Sequence, residues 1–208
     1  MPVVNKVRWA IRPERCALLI HDMQPHYLAA LPEAERQRVV AATRALAGAA
    51  LRAGVPIFAS AVPPQHGRER GLMLDLWGAG PSAQSDELDL GLGLEDAPVR
   101  RIVKRSYSAF YGNDFELLLR RLDRDALLVA GVYTSIGCLC TATDAFMRDI
   151  RPFLVADALA DLTPEDHAAG LRQAARTCAR IVDSEEVGRA LAHRPEEGRY
   201  AREAIDVC

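Results

Sequence analysis

Three short apolar stretches each lead to a residue that can move or hold charge. CALLIH (Cys16–His21) runs into Asp22, VRRIVK (Val99–Lys104) ends on Lys104, and DALLVAG (Asp125–Gly131) precedes Tyr133 and Gly137. A carboxyl group can donate a proton, an ammonium can offset an anionic substrate, and a phenol can hold either in place. A glycine at a helix start adds no reactive side chain. An acid and a cation together can drive cleavage by protonation. Each residue also has a plainer reading: Asp22 in a turn or cap, Lys104 as a solvated strand end, Tyr133 as packing, Gly137 as a tight turn. The case for a site rests on shared location.

That location depends on the elements. VPIFAS (Val55–Ser60), PFLVAD (Pro152–Asp157) and ARIVDS (Ala179–Ser184) bring the apolar runs to six, the pattern of strands buried on both faces of a parallel sheet. Helical spacing lies between them. Pro32–Arg52 carries Val39, Thr43, Leu46 and Ala50 on one side, with Gly54 as a stop. Asn113–Leu122 and Gly137–Asp149 follow, and Thr163 is placed to cap a helix opening at Pro164. The alternation predicts a three-layer α/β/α domain with an open parallel sheet. Ligands in such sheets gather beyond the carboxyl ends of the strands, where Asp22, Lys104, Tyr133 and Gly137 all fall.

The stretch from Ala61 to Pro98, with a short helix expected at Glu69–Leu76, is longer than an ordinary connection, which favours a functional or oligomeric role. No domain-sized linker or repeat interrupts the chain, so one domain over residues 1–208 is expected. A net charge of -2 gives no reason to expect nucleic acid or an anionic membrane as partner. The local cluster Arg100, Arg101, Lys104 and Arg105 still suits a small anionic substrate. No secretory signal opens the sequence and no apolar run approaches the roughly 18 residues of a membrane span, so a cytoplasmic protein is expected. The odd set Cys16, Cys138, Cys140, Cys178 and Cys208 reads as thiols. No His or further Cys completes a metal site around Cys138 and Cys140, and neither metal nor cofactor is expected.

Longer blocks carry a resemblance. HDMQPHY (His21–Tyr27), RGLMLDLWGAG (Arg70–Gly80), KRSYSAFYGNDF (Lys104–Phe115) and the segment Gly131–Asp161 together resemble the isochorismatase-like hydrolases over nearly the whole chain. The resemblance implies a six-stranded parallel sheet ordered 3-2-1-4-5-6 and a homodimer or higher homo-oligomer. Cysteine hydrolases of this superfamily place their nucleophile seven residues before the Asp of a T-x-x-D-A motif. Here that motif is Thr141–Ala145, and the position is Gly137. Cys138 comes one residue late, a rotation of about 100° on a helix.

The glycine variant resembles isochorismatases and the phenazine-pathway hydrolase of 2-amino-2-deoxyisochorismate, which release pyruvate from an enolpyruvyl ether. By that resemblance Asp22 is the proton donor and Lys104 binds and orients. Burial and a dianionic substrate would favour the protonated acid, and Lys104 opposes this. Arg70 matches a carboxylate-binding arginine and Tyr133 a pocket tyrosine. His26, Trp77 and Phe110 shape the walls, and backbone N–H groups around Gly137 and Cys138 can cradle a carboxylate.

Some positions depart from the pattern. His26 stands where an aromatic is common, Val62 where a substrate-binding glutamine is common, and Arg105, Ser106, Thr134 and Ser135 differ as well. These departures leave room for an altered substrate. They also keep open amide hydrolysis through Cys138 and a binding paralogue with weak catalysis. Some siderophore isochorismatases add an aryl carrier domain, for which this length leaves no room, so a standalone enzyme is expected.

Overall fold

All six apolar runs become strands. The computed structural model describes residues 3–83, 94 and 96–192. The strands are β1 (Cys16–His21), β2 (Ile57–Ala61), β3 (Arg100–Val103), β4 (Ala126–Val132), β5 (Arg151–Ala160) and β6 (Arg180–Val182). They form one sheet in the order β3-β2-β1-β4-β5-β6, and every pairing is parallel. β1 sits in the middle, and each of its residues is buried. A parallel sheet needs cover on both faces because its crossovers run over them. Seven helices do this among the described residues: α1 (Pro25–Leu28), α2 (Glu33–Arg52), α3 (Met73–Trp77), α4 (Phe115–Arg121), α5 (Leu139–Phe146), α6 (Pro164–Thr177) and α7 (Ser184–Ala192).

The alternation of side chains along β1 divides the core in two. Cys16, Leu18 and Ile20 face α2 and α7, packing with Val39, Leu46, Val187 and Leu191. Ala17 and Leu19 face the opposite way, towards Phe115 and Leu119 of α4, Ala142 and Ala145 of α5 and Leu171 of α6. The three-layer architecture follows from this two-residue period meeting helical stripes.

Local signals hold at the helix ends. The N–H of Asp166 donates to Thr163 Oγ1 at 3.1 Å, closing the cap of α6. Gly54 takes φ 68° after α2. The region around Glu69–Leu76 divides into a 3-10 turn, Gly67–Arg70, and the five-residue α3. The helix expected from Gly137 begins earlier, as a π-helical turn over Thr134–Cys138 that runs into α5. β5 continues to Ala160, beyond the expected Asp157, through a register shift against β4. Cys208, and residues 84–93 and 95 of the Ala61–Pro98 stretch, lie outside the described residues. Among the described residues no helix is long and apolar enough to cross a membrane.

Candidate active site

Asp22 is the first residue past β1 and adopts φ 50°, a left-handed conformation that aspartate tolerates better than most side chains. The turn stops the chain from continuing β1 and leaves the carboxylate beside the carboxyl ends of β2 and β3. Ser60 Oγ donates to Asp22 Oδ1 at 2.6 Å, and Lys104 Nζ lies 2.8 Å from Oδ2. Lys104 also donates to the Ser106 carbonyl at 2.6 Å. Both members of the pair are buried, Asp22 to 5% and Lys104 to 3% exposure. In so dry a setting the attraction is poorly screened, and the carboxylate is held in one place.

The pair lines a cavity of about 360 Å³, within the size range of small-ligand pockets. Arg70, His26, Trp77, Tyr133 and Gly137 line it too. Arg70 is 3% exposed and Nε donates to the Gly78 carbonyl at 2.6 Å, while Nη1 is buried without a hydrogen-bond partner among the described residues. Arg70 lines the cavity with a guanidinium that still holds one buried N–H group to give, which suits it to an anion. Gly80 makes room for it: a Cβ there would sit 2.1 Å from Arg70 Nη1, at a backbone φ of 73°.

Aromatic residues shape the rest. Tyr133 Oη donates to the Tyr27 carbonyl at 2.7 Å, and the two rings meet edge to face with centroids 6.0 Å apart. Burial pushes the Tyr133 phenol up to about 12 and the Tyr27 phenol higher still, so both keep their protons. Burial, then the charge of Arg70, holds the His26 imidazole below its ordinary value, which favours the neutral ring. Trp77 Nε1 donates to Tyr107 Oη at 2.9 Å, tying α3 to the loop after β3 at the cavity wall.

The π-helical turn is pinned from below. Asp161 Oδ2 accepts the Ser135 N–H at 2.6 Å and Oδ1 accepts the Leu162 N–H at 2.8 Å. Thr134 Oγ1 donates to the Ala160 carbonyl at 3.1 Å. Gly137 is thereby set against the cavity beside Asp22. Among the described residues no group of three or more His, Cys, Asp or Glu side chains is disposed to hold a metal ion.

Residues 16–186 match the isochorismatase domain family. The chain belongs to that family. Enterobactin synthase component B of Escherichia coli (strain K12) is 40% identical over 187 residues, covering 88% of this chain and 66% of that protein. The chain thus spans just under two-thirds of that relative's length. Phenazine biosynthesis protein PhzD of Pseudomonas fluorescens is 39% identical over 185 residues, covering 88% of this chain and 89% of that one. A cysteine hydrolase from Pseudomonas syringae pv. phaseolicola 1448A has the same fold, with TM-score 0.80 at 24% identity over 92% of this chain and 98% of that one.

Within this isochorismatase-family site, three sequence expectations need correction. Phe110 is not a cavity wall. It lies in the core between the sheet and α4, 4.8 Å from the Phe115 ring, under the guanidinium of Arg148. Cys138 is likewise fully buried on that core side, because one helical step past Gly137 turns its side chain away from the cavity. Burial pushes its thiol well up, which suppresses the thiolate that amide hydrolysis would need. The Cys138 N–H is no carboxylate cradle either, since it donates to the Tyr133 carbonyl at 3.1 Å inside the π-helical turn.

His26 stays on the wall, but the other departures from the family pattern move off it. Val62 is buried and exchanges both backbone hydrogen bonds with the Gln24 side chain, at 2.8 and 3.0 Å. Neither it nor Thr134, Ser135, Arg105 or Ser106 lines the cavity. Lining residues that the sequence reading missed are Tyr27, Ala30, Met73, Tyr107, Val132, Ile136 and Leu162. Tyr27 and Tyr107 lie inside the quoted motifs, and their spacing from Asp22 and Lys104 was the available signal. Met73 and Ile136 lie inside quoted motifs as well, and Leu162 directly follows the Gly131–Asp161 segment.

Proposed function

We propose that this chain hydrolyses the enolpyruvyl ether of isochorismate or 2-amino-2-deoxyisochorismate, releasing pyruvate and the ring alcohol. The observation that carries the reading is the buried Asp22–Lys104 pair at a cavity whose neighbouring position 137 is glycine. The site offers a positioned acid and cations, and among the described residues no cysteine lines the cavity. The names of relatives matched over most of this chain support the same chemistry.

In this mechanism Arg70 Nη1 takes a substrate carboxylate, and Lys104 neutralises charge next to the reacting group. The reaction uses Asp22 in its acid form. Asp22 gives that proton to the terminal methylene carbon of the vinyl ether, which becomes a methyl group, and the adjacent carbon becomes an oxocarbenium ion. Water adds to that carbon and returns a proton to Asp22. The hemiketal then collapses, its C–O bond to the ring breaks, and pyruvate leaves with the ring alcohol. Tyr133 and Tyr27, both protonated, hold the wall against which the substrate lies.

The test is pyruvate release from purified protein given each compound in parallel, with Asp22→Ala as control. Asp22-dependent release from either supports the reading and selects the ring substituent. Saturable binding without release from both compounds overturns it. A cytoplasmic homodimer acting on a small anionic cyclohexadiene ether belongs to the same proposal, its assembly checked by light scattering of the purified chain.

A further inference from the structure

Gly137 has a partner that its own segment does not reveal. A Cβ built at position 137 lies 2.4 Å from His21 Cε1, 3.1 Å from His21 Nε2 and 3.2 Å from the Tyr107 carbonyl oxygen. The imidazole of His21 therefore stands where a side chain from residue 137 would project. His21 is fully buried and held at both ring nitrogens. Nδ1 lies 2.8 Å from the Val132 carbonyl, which can only accept, so Nδ1 carries the proton. Nε2 is then an acceptor, 3.2 Å from Thr141 Oγ1. That hydroxyl takes the Ala109 N–H at 3.0 Å, which leaves its own proton for His21. One ring thus ties β1, the end of β4, α5 and the loop after β3 together, and moving it would break hydrogen bonds at both of its nitrogens.

The relation of His21 to Asp22 is one of support. Nδ1 lies 3.6 Å from Asp22 Oδ2, too far for a hydrogen bond, and its proton is already committed to Val132. His21 does not line the cavity, so it cannot touch substrate. Burial holds the imidazole below its ordinary value, with the Lys104 charge adding to the effect, and a neutral ring brings no second cation to the acid.

We propose that His21 is a positioning residue that sets reaction type: its clamped ring fills the space of a residue-137 side chain, holding the site to acid catalysis by Asp22 and closing it to a nucleophile at 137. The size exchange between positions 21 and 137 stands on packing alone. Its kinetic consequence rests on the reading of Asp22 as the acid.

The experiment is a double-mutant cycle of Gly137→Ala, His21→Ala and the two combined, read by thermal unfolding and by pyruvate release from whichever substrate the parent accepts. Gly137→Ala pushes a methyl against an immobile ring and displaces the neighbouring acid, for an expected loss on the order of 100-fold in kcat. With His21→Ala already present, adding Gly137→Ala costs little more, so the two effects do not add. His21→Ala alone lowers kcat and leaves KM unchanged, because the ring acts through Asp22 and not on substrate. Adding Gly137→Cys to the His21→Ala protein gives a thiol at 137 that iodoacetamide labels, located by peptide mass.

Additive losses, or a fully active Gly137→Ala protein, would overturn the proposal. If Gly137→Ala does not fold, a folded double variant supports it, and an unfolded double variant with folded His21→Ala overturns it. His21→Asn, which keeps a donor, replaces His21→Ala in the cycle should the latter not fold, with the same criteria. Turnover that survives Asp22→Ala alongside a coupled cycle sinks the acid reading and leaves the packing assignment. An Asp22-dependent reaction with an additive cycle sinks this inference alone.

Discussion

Removing Asp22 does two separable things, and the structure gives a size to each. The Asp22→Ala protein loses its proton donor, which for a general acid is a loss of about 10²–10⁴-fold in turnover. It also strands Lys104, whose side chain is only 4% exposed and whose anion sat 2.8 Å away. Breaking a buried ion pair by deleting one partner costs about 3–5 kcal/mol. Lys104 keeps the Ser106 carbonyl at 2.6 Å, so the low end applies. A chain of this size shifts its Tm by roughly 2–4 °C per kcal/mol, which gives a fall of about 6–12 °C. Adding Lys104→Met removes the stranded charge, and replacing a whole buried pair by apolar groups is near neutral or stabilising. The double variant therefore regains most of the lost Tm and none of the lost turnover. Scanning fluorimetry gives the first quantity and pyruvate-coupled NADH oxidation the second. A double variant no more stable than Asp22→Ala refutes the electrostatic account of the pair. Substantial turnover by folded Asp22→Ala refutes the assignment of the acid.

Three further outcomes are expected. Arg70→Met deletes a charge-assisted hydrogen bond worth about 1.5–3 kcal/mol to a bound carboxylate, so KM rises roughly 10- to 150-fold, and an unchanged KM would remove Arg70 from substrate binding. Cys138→Ala leaves kcat and KM unaltered and lowers Tm, because the thiol packs in the core away from the cavity; abolished turnover in the folded variant would reopen amide chemistry. Burial depresses His21 in the folded state, so unfolding takes up a proton below the ordinary histidine range. That stability is fully present above about pH 6.5 and falls as pH drops, by up to about 1.4 kcal/mol per pH unit for one such group. Urea unfolding at pH 7.5 and 5.5 measures the fall, and His21→Asn should lessen it, with the similarly depressed His26 and His167 supplying the remainder.

The six strands were legible because a parallel sheet buries both faces, which turns its strands into continuous apolar runs that stand out from amphipathic helices; their order came from the family resemblance, not from the runs. CALLIH and DALLVAG are such runs, and they became the fully buried β1 and β4. Thr163 was readable as a cap for an equally local reason, since side-chain oxygen and recipient N–H lie three residues apart. The Asp22, Lys104 and Tyr133 positions followed from topology, which brings the carboxyl ends of neighbouring strands to one edge. Phe110 misled because it sits in the same loop as the lining residue Tyr107. Which of them faces the cavity is set by the path of the chain between β3 and α4, where no simple period applies.

The sequence alone determined what repeats: strand and helix periods, their alternation, and the edge of the sheet on which an acid and a lysine must lie. Only the tertiary structure decided what depends on distance across the chain. Arg70 Nη1 lies unpaired against Gly80 because a 3-10 turn and a left-handed glycine meet there. Val62 is withdrawn from the cavity by Gln24, and Cys138 is turned into the core by one helical step. The histidine next to Asp22 fills the space that glycine leaves at 137, although 116 residues separate 21 from 137. Shared volume between such residues is a property of the packed interior, where two side chains cannot occupy one place, and no local pattern records it.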